Sequence, residues 1–122
     1  MNDFKIWKMV WDVRYPANSM LFDNRGKIAS KWQWISDLSE WHISNNQVTI
    51  HNKANTTSLT AGYKNSSVVM ELPKNAAEFN SIAADFSAYV FDTLQPKKIE
   101  RMGFRIIQVA KRSHFKLSLI HI

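Results

Sequence analysis

The chain of 122 residues contains no cysteine. That absence removes disulfides, thiolate metal sites and cysteine nucleophiles together. It also fits a reducing compartment, so a cytoplasmic protein is expected. Glycine is scarce, with three residues in the whole chain, which excludes a glycine-rich phosphate cradle. No apolar run approaches the ~18 residues of a membrane span. The opening Met1-Asn2-Asp3-Phe4-Lys5 lacks the apolar stretch of a signal peptide, so a soluble chain without a membrane partner is expected. There is no nucleophile elbow, P-loop, dinucleotide fingerprint or EF-hand loop. His42, His51, His114 and His121 show no helical i, i+4 spacing with a carboxylate, so no zinc motif is present. No cofactor, metal or catalytic residue follows from the sequence, and it specifies no reaction.

What is present is ordinary globular material, 45% apolar and 12% aromatic with five tryptophans. The length suits one domain spanning 1–122. The net charge of +6 is concentrated. Lys97, Lys98, Arg101, Arg105, Lys111, Arg112 and Lys116 face Glu100 alone within 97–116, and the charges elsewhere cancel. Such a segment attracts a nucleic acid or an acidic protein. Equally, it suits an exposed strand edge kept basic to block edge-to-edge pairing.

The segment follows the chain's clearest helix. Phe79, Ile82, Phe86, Tyr89 or Val90, and Leu94 recur at three- and four-residue steps. Asn75 and Glu78 have capping-box spacing, and Pro96 forbids continuation. The pattern predicts a long helix over about 75–94. From Lys98 to Ala110 two rows alternate, and one of them holds Ile99, Arg101, Gly103, Arg105, Ile107 and Val109. This reads as a strand, with Gly103 marking a bulge or a close backbone approach. Sharing a row with Ile107 and Val109 would turn Arg101 and Arg105 inward, to bind a carboxylate such as Asp12.

This helix, the proline-containing link and Arg101-Met102-Gly103-Phe104-Arg105 resemble a sporadically distributed bacterial family of unknown function. Its members carry an R-x-G-x-R strand after such a helix. The strand ending at Tyr15-Pro16 and the polar-rich strands over 41–72 are also similar, so the resemblance covers roughly residues 5–110. Members of that family are longer, and this chain corresponds to their first half. The resemblance implies an architecture and no activity.

Residues 4–15 read as a first strand whose odd row, Trp7, Met9, Trp11, Val13 and Tyr15, is the core face. Residues 17–26 read as a link, with Asp23-Asn24-Arg25-Gly26 as turn material. Ile28, Trp32, Ile35 and Leu38 predict a short helix over about 27–38. Between 40 and 72 the period drops to two and turn signals multiply, which predicts a meander of three or four short strands. The tail from His114 to Ile122 is strand-like, and either hairpins back on 98–110 or pairs with a second copy. The fold class is therefore α+β, an antiparallel sheet in something like the ferredoxin βαββαβ order, packed against the long helix and the short one.

Three functional readings arise. The first is a non-catalytic interaction protein forming homo-oligomers through Phe115, Leu117, Leu119 and Ile120 of the tail. The second is a nucleic-acid-binding module, with Arg101, Arg105, Lys111 and Arg112 on phosphates and Trp34 or Trp41 stacking on bases. The third is a small-molecule site between helix and sheet, lined by Trp11, Phe79 and Phe86.

Overall fold

A computed structural model describes residues 3–32, 39–52, 56–73, 76–111 and 117–121. The sheet is built around its first strand, β1 (Asp3–Arg14), which is followed by α1 (Met20–Trp32). Four strands come next, β2 (Ser39–Ile43), β3 (Gln47–Asn52), β4 (Thr57–Gly62) and β5 (Asn65–Glu71). Then come α2 (Ala76–Leu94), β6 (Arg101–Lys111) and β7 (Leu117–His121). The seven strands lie in the order β2-β3-β4-β5-β1-β6-β7, and every neighbouring pair is antiparallel. Reduced to its first and last strands, the meander leaves the expected ferredoxin-type order, with β7 added at the far edge. The tail hairpins back, Leu117–His121 pairing with Ile107–Lys111. No helix among the described residues is long and apolar enough to cross a membrane.

Both helices cover the same face of the sheet. Met9, Trp11 and Val13 of β1, Val48 and Ile50 of β3, Leu59 and Ala61 of β4, and Val68 and Met70 of β5 form the floor of the core. Leu21, Ile28, Ala29 and Trp32 of α1 close it from above, with Phe79, Phe86, Val90 and Leu94 of α2. The rings of this layer fill it against one another. Trp32 meets Phe86 and Tyr89 edge-on at centroid distances of 5.3 and 5.8 Å, and Trp11 meets Phe91 at 6.2 Å. Trp11, Phe79 and Phe86, expected to line a small-molecule cavity, are thus buried members of the packed core.

The first strand departs from simple alternation at one residue. Ile6 pairs with Gln108 while Lys8 pairs with Ile107, so Trp7 is an extra residue in the ladder. The bulge switches rows: Ile6 packs on the core, and after it Met9, Trp11 and Val13 do. Trp7, expected in the core row, is 40% exposed for this reason. The bulge that the sequence suggests near Gly103 lies here instead.

The short helix also differs from its expected span. It begins at Met20, inside the stretch read as a link, and Asp23-Asn24-Arg25-Gly26 is helical rather than a turn. Asn18 explains the early start. Its Oδ1 accepts the Met20 amide at 3.0 Å, and its Nδ2 donates to the Leu94 carbonyl at 2.9 Å, tying the start of α1 to the end of α2. Arg25 donates to the Ser44 carbonyl at 3.0 Å, which fixes α1 to the β2–β3 turn. Burial of Leu21 and Ile28 outweighs the poor helix propensity of the intervening polar residues. The expected continuation through Ile35 to Leu38, like the Asn75 cap of α2, falls outside the described residues. At the other end of α2, Gln95 takes a left-handed φ of 45° and donates to the Phe91 carbonyl at 3.0 Å before Pro96 ends the helix.

Tyr15, fully buried after β1, holds the β4–β5 hairpin. Its hydroxyl donates to the Gly62 carbonyl and accepts from Ser66 Oγ, each at 2.7 Å. Burial pushes its pKa above the usual 10.0, against the lowering effect of both hydrogen bonds. The native state therefore keeps the phenol's proton at a pH where the unfolded chain releases it. This stability is complete below pH 10.0 and is lost as pH rises from there through the raised native value. Tyr15→Phe should cost about 1–3 kcal/mol at neutral pH by leaving Ser66 and Gly62 short of a partner. Its urea midpoint should also fall less than the wild type's between pH 8 and pH 11, and equal falls would refute the assignment.

Candidate functional site

The helix-free face is polar, as expected where an antiparallel sheet meets water on one side. Its rows are read from the register. Asn65 of β5, Arg14 of β1 and Arg101 of β6 lie abreast, and the next row is Ser67, Asp12 and Gly103. The row after that is Val69, Val10 and Arg105. Arg14 and Arg101 are thus directly opposed across two strands, and Arg105 stands two rows along on the same face. These arginines line a cleft of about 130 Å³ together with Asp12, Val13 and Asn65.

The cleft holds one carboxylate. Asp12 Oδ2 lies 3.5 Å from the Arg105 guanidinium, with both side chains substantially exposed, so the pair contributes little to stability. Of the two arginines expected to turn inward to Asp12, Arg105 reaches it and Arg101 does not, and both are exposed. Gly103 makes room for it: a Cβ there would stand 2.8 Å from Asp12 Oδ1. Gly103 thus serves a close approach, and the carboxylate occupies the space between the two arginine rows.

β7 pairs with β6 over Ile107–Lys111, so among the described residues Arg101 and Arg105 are paired with β1 alone. The edge role expected for the basic segment fits this half of β6, but not Arg14, whose strand is paired on both sides along this row.

The residues nominated for nucleic-acid binding are not all brought together. Arg101 and Arg105 share the cleft, and Lys111 lies at the end of β6, opposite Asp3 and Leu117. Arg112 and Trp34 fall outside the described residues. Trp41 is 52% exposed on β2 and pairs with the core residue Ile50, which puts it on the helix side of the far edge strand. Base stacking by Trp41 beside Arg101 is therefore not available. Arg14 and Asn65 went unnamed in the sequence because their membership depends on register. The one available signal was that Arg14 shares a row with Asp12.

A second feature lies on the helix side. α1 lies over β2, β3 and β4, and α2 over β5. Seven strands span about 29 Å between edges, whereas two helices side by side cover about 20 Å. The β6 side is covered only in part, with Phe104 packed on Phe79 of α2 at a centroid distance of 5.7 Å. Met102 and Phe104 share the helix-side row with Ile106, yet remain 52% and 49% exposed. With Ile99, Phe91, Gln95 and Pro96, Met102 lines an open cleft of about 320 Å³ between α2 and β6. Of the nominated interface residues, Leu117, Leu119 and Ile120 lie in β7, opposite Lys111, Val109 and Gln108, and Phe115 is outside the described residues.

His42 and His51 occupy adjacent strands, as expected. His42 pairs with Thr49 and His51 with Glu40, and His51 Nδ1 lies 2.8 Å from Ser58 Oγ. No group of three or more His, Cys, Asp or Glu able to hold a metal occurs among the described residues. No family model, curated protein or solved structure matches the chain.

Proposed function

We propose that the chain is a non-catalytic interaction protein that self-associates through the flank formed by β6 and β7. The observation that carries this reading is the position of β7. It is an edge strand hydrogen-bonded to β6 on one side, and no strand of the described chain pairs with its other side. An open ladder of backbone donors and acceptors is satisfied by another strand, and a second copy supplies an identical one in antiparallel register. The adjoining apolar strip of Ile99, Met102 and Phe104 supports the same reading, since large exposed apolar groups beside a sheet edge mark interaction surfaces.

The test is the oligomeric state of the full chain across a concentration series, by sedimentation velocity. Leu119→Lys places one charge per copy on the joining strand and should weaken association by more than tenfold, about 1.4 kcal/mol or more. Its far-UV circular dichroism should stay unchanged. Association equal to the wild type's would remove this reading.

A further inference from the structure

We propose that the helix-free face carries a phosphate-binding site formed by Arg14, Arg101, Arg105 and Asn65. It lies on the opposite face from the Met102 and Phe104 strip and stands independently of self-association.

Two arginines on this face stand in an arrangement that the fold alone disfavours. Like charges directly opposite one another in an antiparallel pair are destabilising, yet Arg14 faces Arg101 in register. Neither has a carboxylate partner within ion-pair distance among the described residues. Asp12, the one acid lining the cleft, is engaged with Arg105. Arg14 is paired on both sides, with Asn65 and with Arg101, so guarding of a sheet edge does not explain its position. An anion between the opposed guanidinium groups turns the repulsion into attraction.

Size and shape then select the anion. A cleft of about 130 Å³ is well below the ~300–1,000 Å³ of small-molecule sites, and suits a single charged group rather than a whole metabolite. Guanidinium forks match the oxygens of phosphate in paired, parallel hydrogen bonds. Asn65, abreast of Arg14, adds a neutral donor at the rim. The Asp12 carboxylate stands over Gly103, so an oxyanion binds at the Arg14–Arg101 end of the cleft and reaches Arg105 only by displacing Asp12. Asp12 is the built-in competitor: it holds Arg105 in place when the site is empty, and it weakens affinity for any anion. Trp41 is excluded from this face, so recognition rests on the phosphate and is indifferent to the base.

The phosphate can belong to a nucleic-acid backbone or to a free phosphate ester, and the probes separate the two. The full-length chain is titrated with inorganic phosphate, with a nucleoside 5′-monophosphate and with a labelled random-sequence single-stranded oligonucleotide, at low and physiological salt. Saturable binding is expected, with the arginine side-chain NMR signals shifting on titration. Arg101→Gln and Arg14→Gln should each weaken binding about tenfold or more, with melting temperatures unchanged or raised. Asp12→Asn should tighten it. If the oligonucleotide binds far more tightly than the small phosphates, and its affinity falls with salt at a log–log slope of about −2 to −3, the ligand is a backbone. If the small phosphates bind equally well, the ligand is a free ester. No saturable binding of any probe, or binding that the Arg14 and Arg101 variants leave intact, would overturn the site.

Discussion

Phe86→Ala is expected to remove about 3–5 kcal/mol of folding stability, the range for truncating a fully buried aromatic ring. Phe86 is completely inaccessible and stands in α2 where that helix meets both α1 and the sheet. Its ring packs edge-on against Trp32 at 5.3 Å, and Trp32 in turn packs against Tyr89. Truncation leaves a void beneath two large rings held by different helices, and neither can move into it without breaking the contact between them. Interiors are packed too tightly for the surroundings to fill such a space by small shifts. Domains of this size have about 5–15 kcal/mol in total, so the loss is a large fraction of the whole. Urea denaturation should show a much lower midpoint with little change in slope. A cost below ~1 kcal/mol would mean that the seam between α1, α2 and the sheet is not packed as described.

How much of this was legible in the sequence depends on the range of the signal. α2 announces itself locally, with five turns of apolar spacing closed by Pro96, and it folds over Ala76–Leu94 as read. The meander is equally local, with four alternating strands separated by turn residues. What failed were features decided by partners distant in sequence. The start of α1 depends on Asn18 reaching the last carbonyl of α2, 76 residues away. Nothing between 17 and 26 carries that information, and Asp-Asn-Arg-Gly read alone is a turn. The bulge at Trp7 has the same origin, because one extra residue in β1 is visible only beside β6. A single-residue slip moves every side chain of a strand to the other face, so Trp7 left the core row.

The site shows the same limit. Arg101 and Arg105 were named from their shared row, and Asp12 from its charge. The partner that makes the row chemically unusual is Arg14, and it is set by the register of β1 against β6. How much of β6 gains a second partner was equally invisible, because it depends on how far the tail returns. β7 pairs at Ile107–Lys111 and leaves Arg101 and Arg105 paired with β1 alone among the described residues, while Phe104 packs on Phe79 of α2 and stays half-exposed with Met102.

Register also decides the most severe backbone substitution. Gly62→Ala is expected to destabilise by about 1–3 kcal/mol, the cost of forcing extra volume into a packed site. The reason is space rather than conformation, since no glycine of the described chain has positive φ. A Cβ at Gly62 would stand 2.5 Å from the Asn65 carbonyl oxygen and 3.2 Å from Asn65 Oδ1. Asn65 begins β5 directly after the two-residue turn Tyr63–Lys64, and the obstructing atom is backbone, so it moves only if the hairpin moves. The hairpin is held from three directions. Tyr15 N donates to the Lys64 carbonyl at 2.9 Å, Asn18 N to the Tyr63 carbonyl at 2.8 Å, and Tyr63 N to the Asn46 carbonyl at 2.9 Å. The Tyr15 hydroxyl holds Gly62 itself. Any shift that admits the methyl group must lengthen at least one of these bonds, and through Asn18 it reaches the start of α1. An opposing gain of about 0.4–1 kcal/mol comes from the stiffer unfolded chain, and it is too small to reverse the sign. Gly103 is the control: there the atom in the way is the free end of the Asp12 side chain, which can swing aside. Denaturation of both alanine variants should therefore separate them, with Gly62→Ala clearly less stable and Gly103→Ala close to wild type. Equal stabilities would show that the β4–β5 turn has slack that these hydrogen bonds deny it.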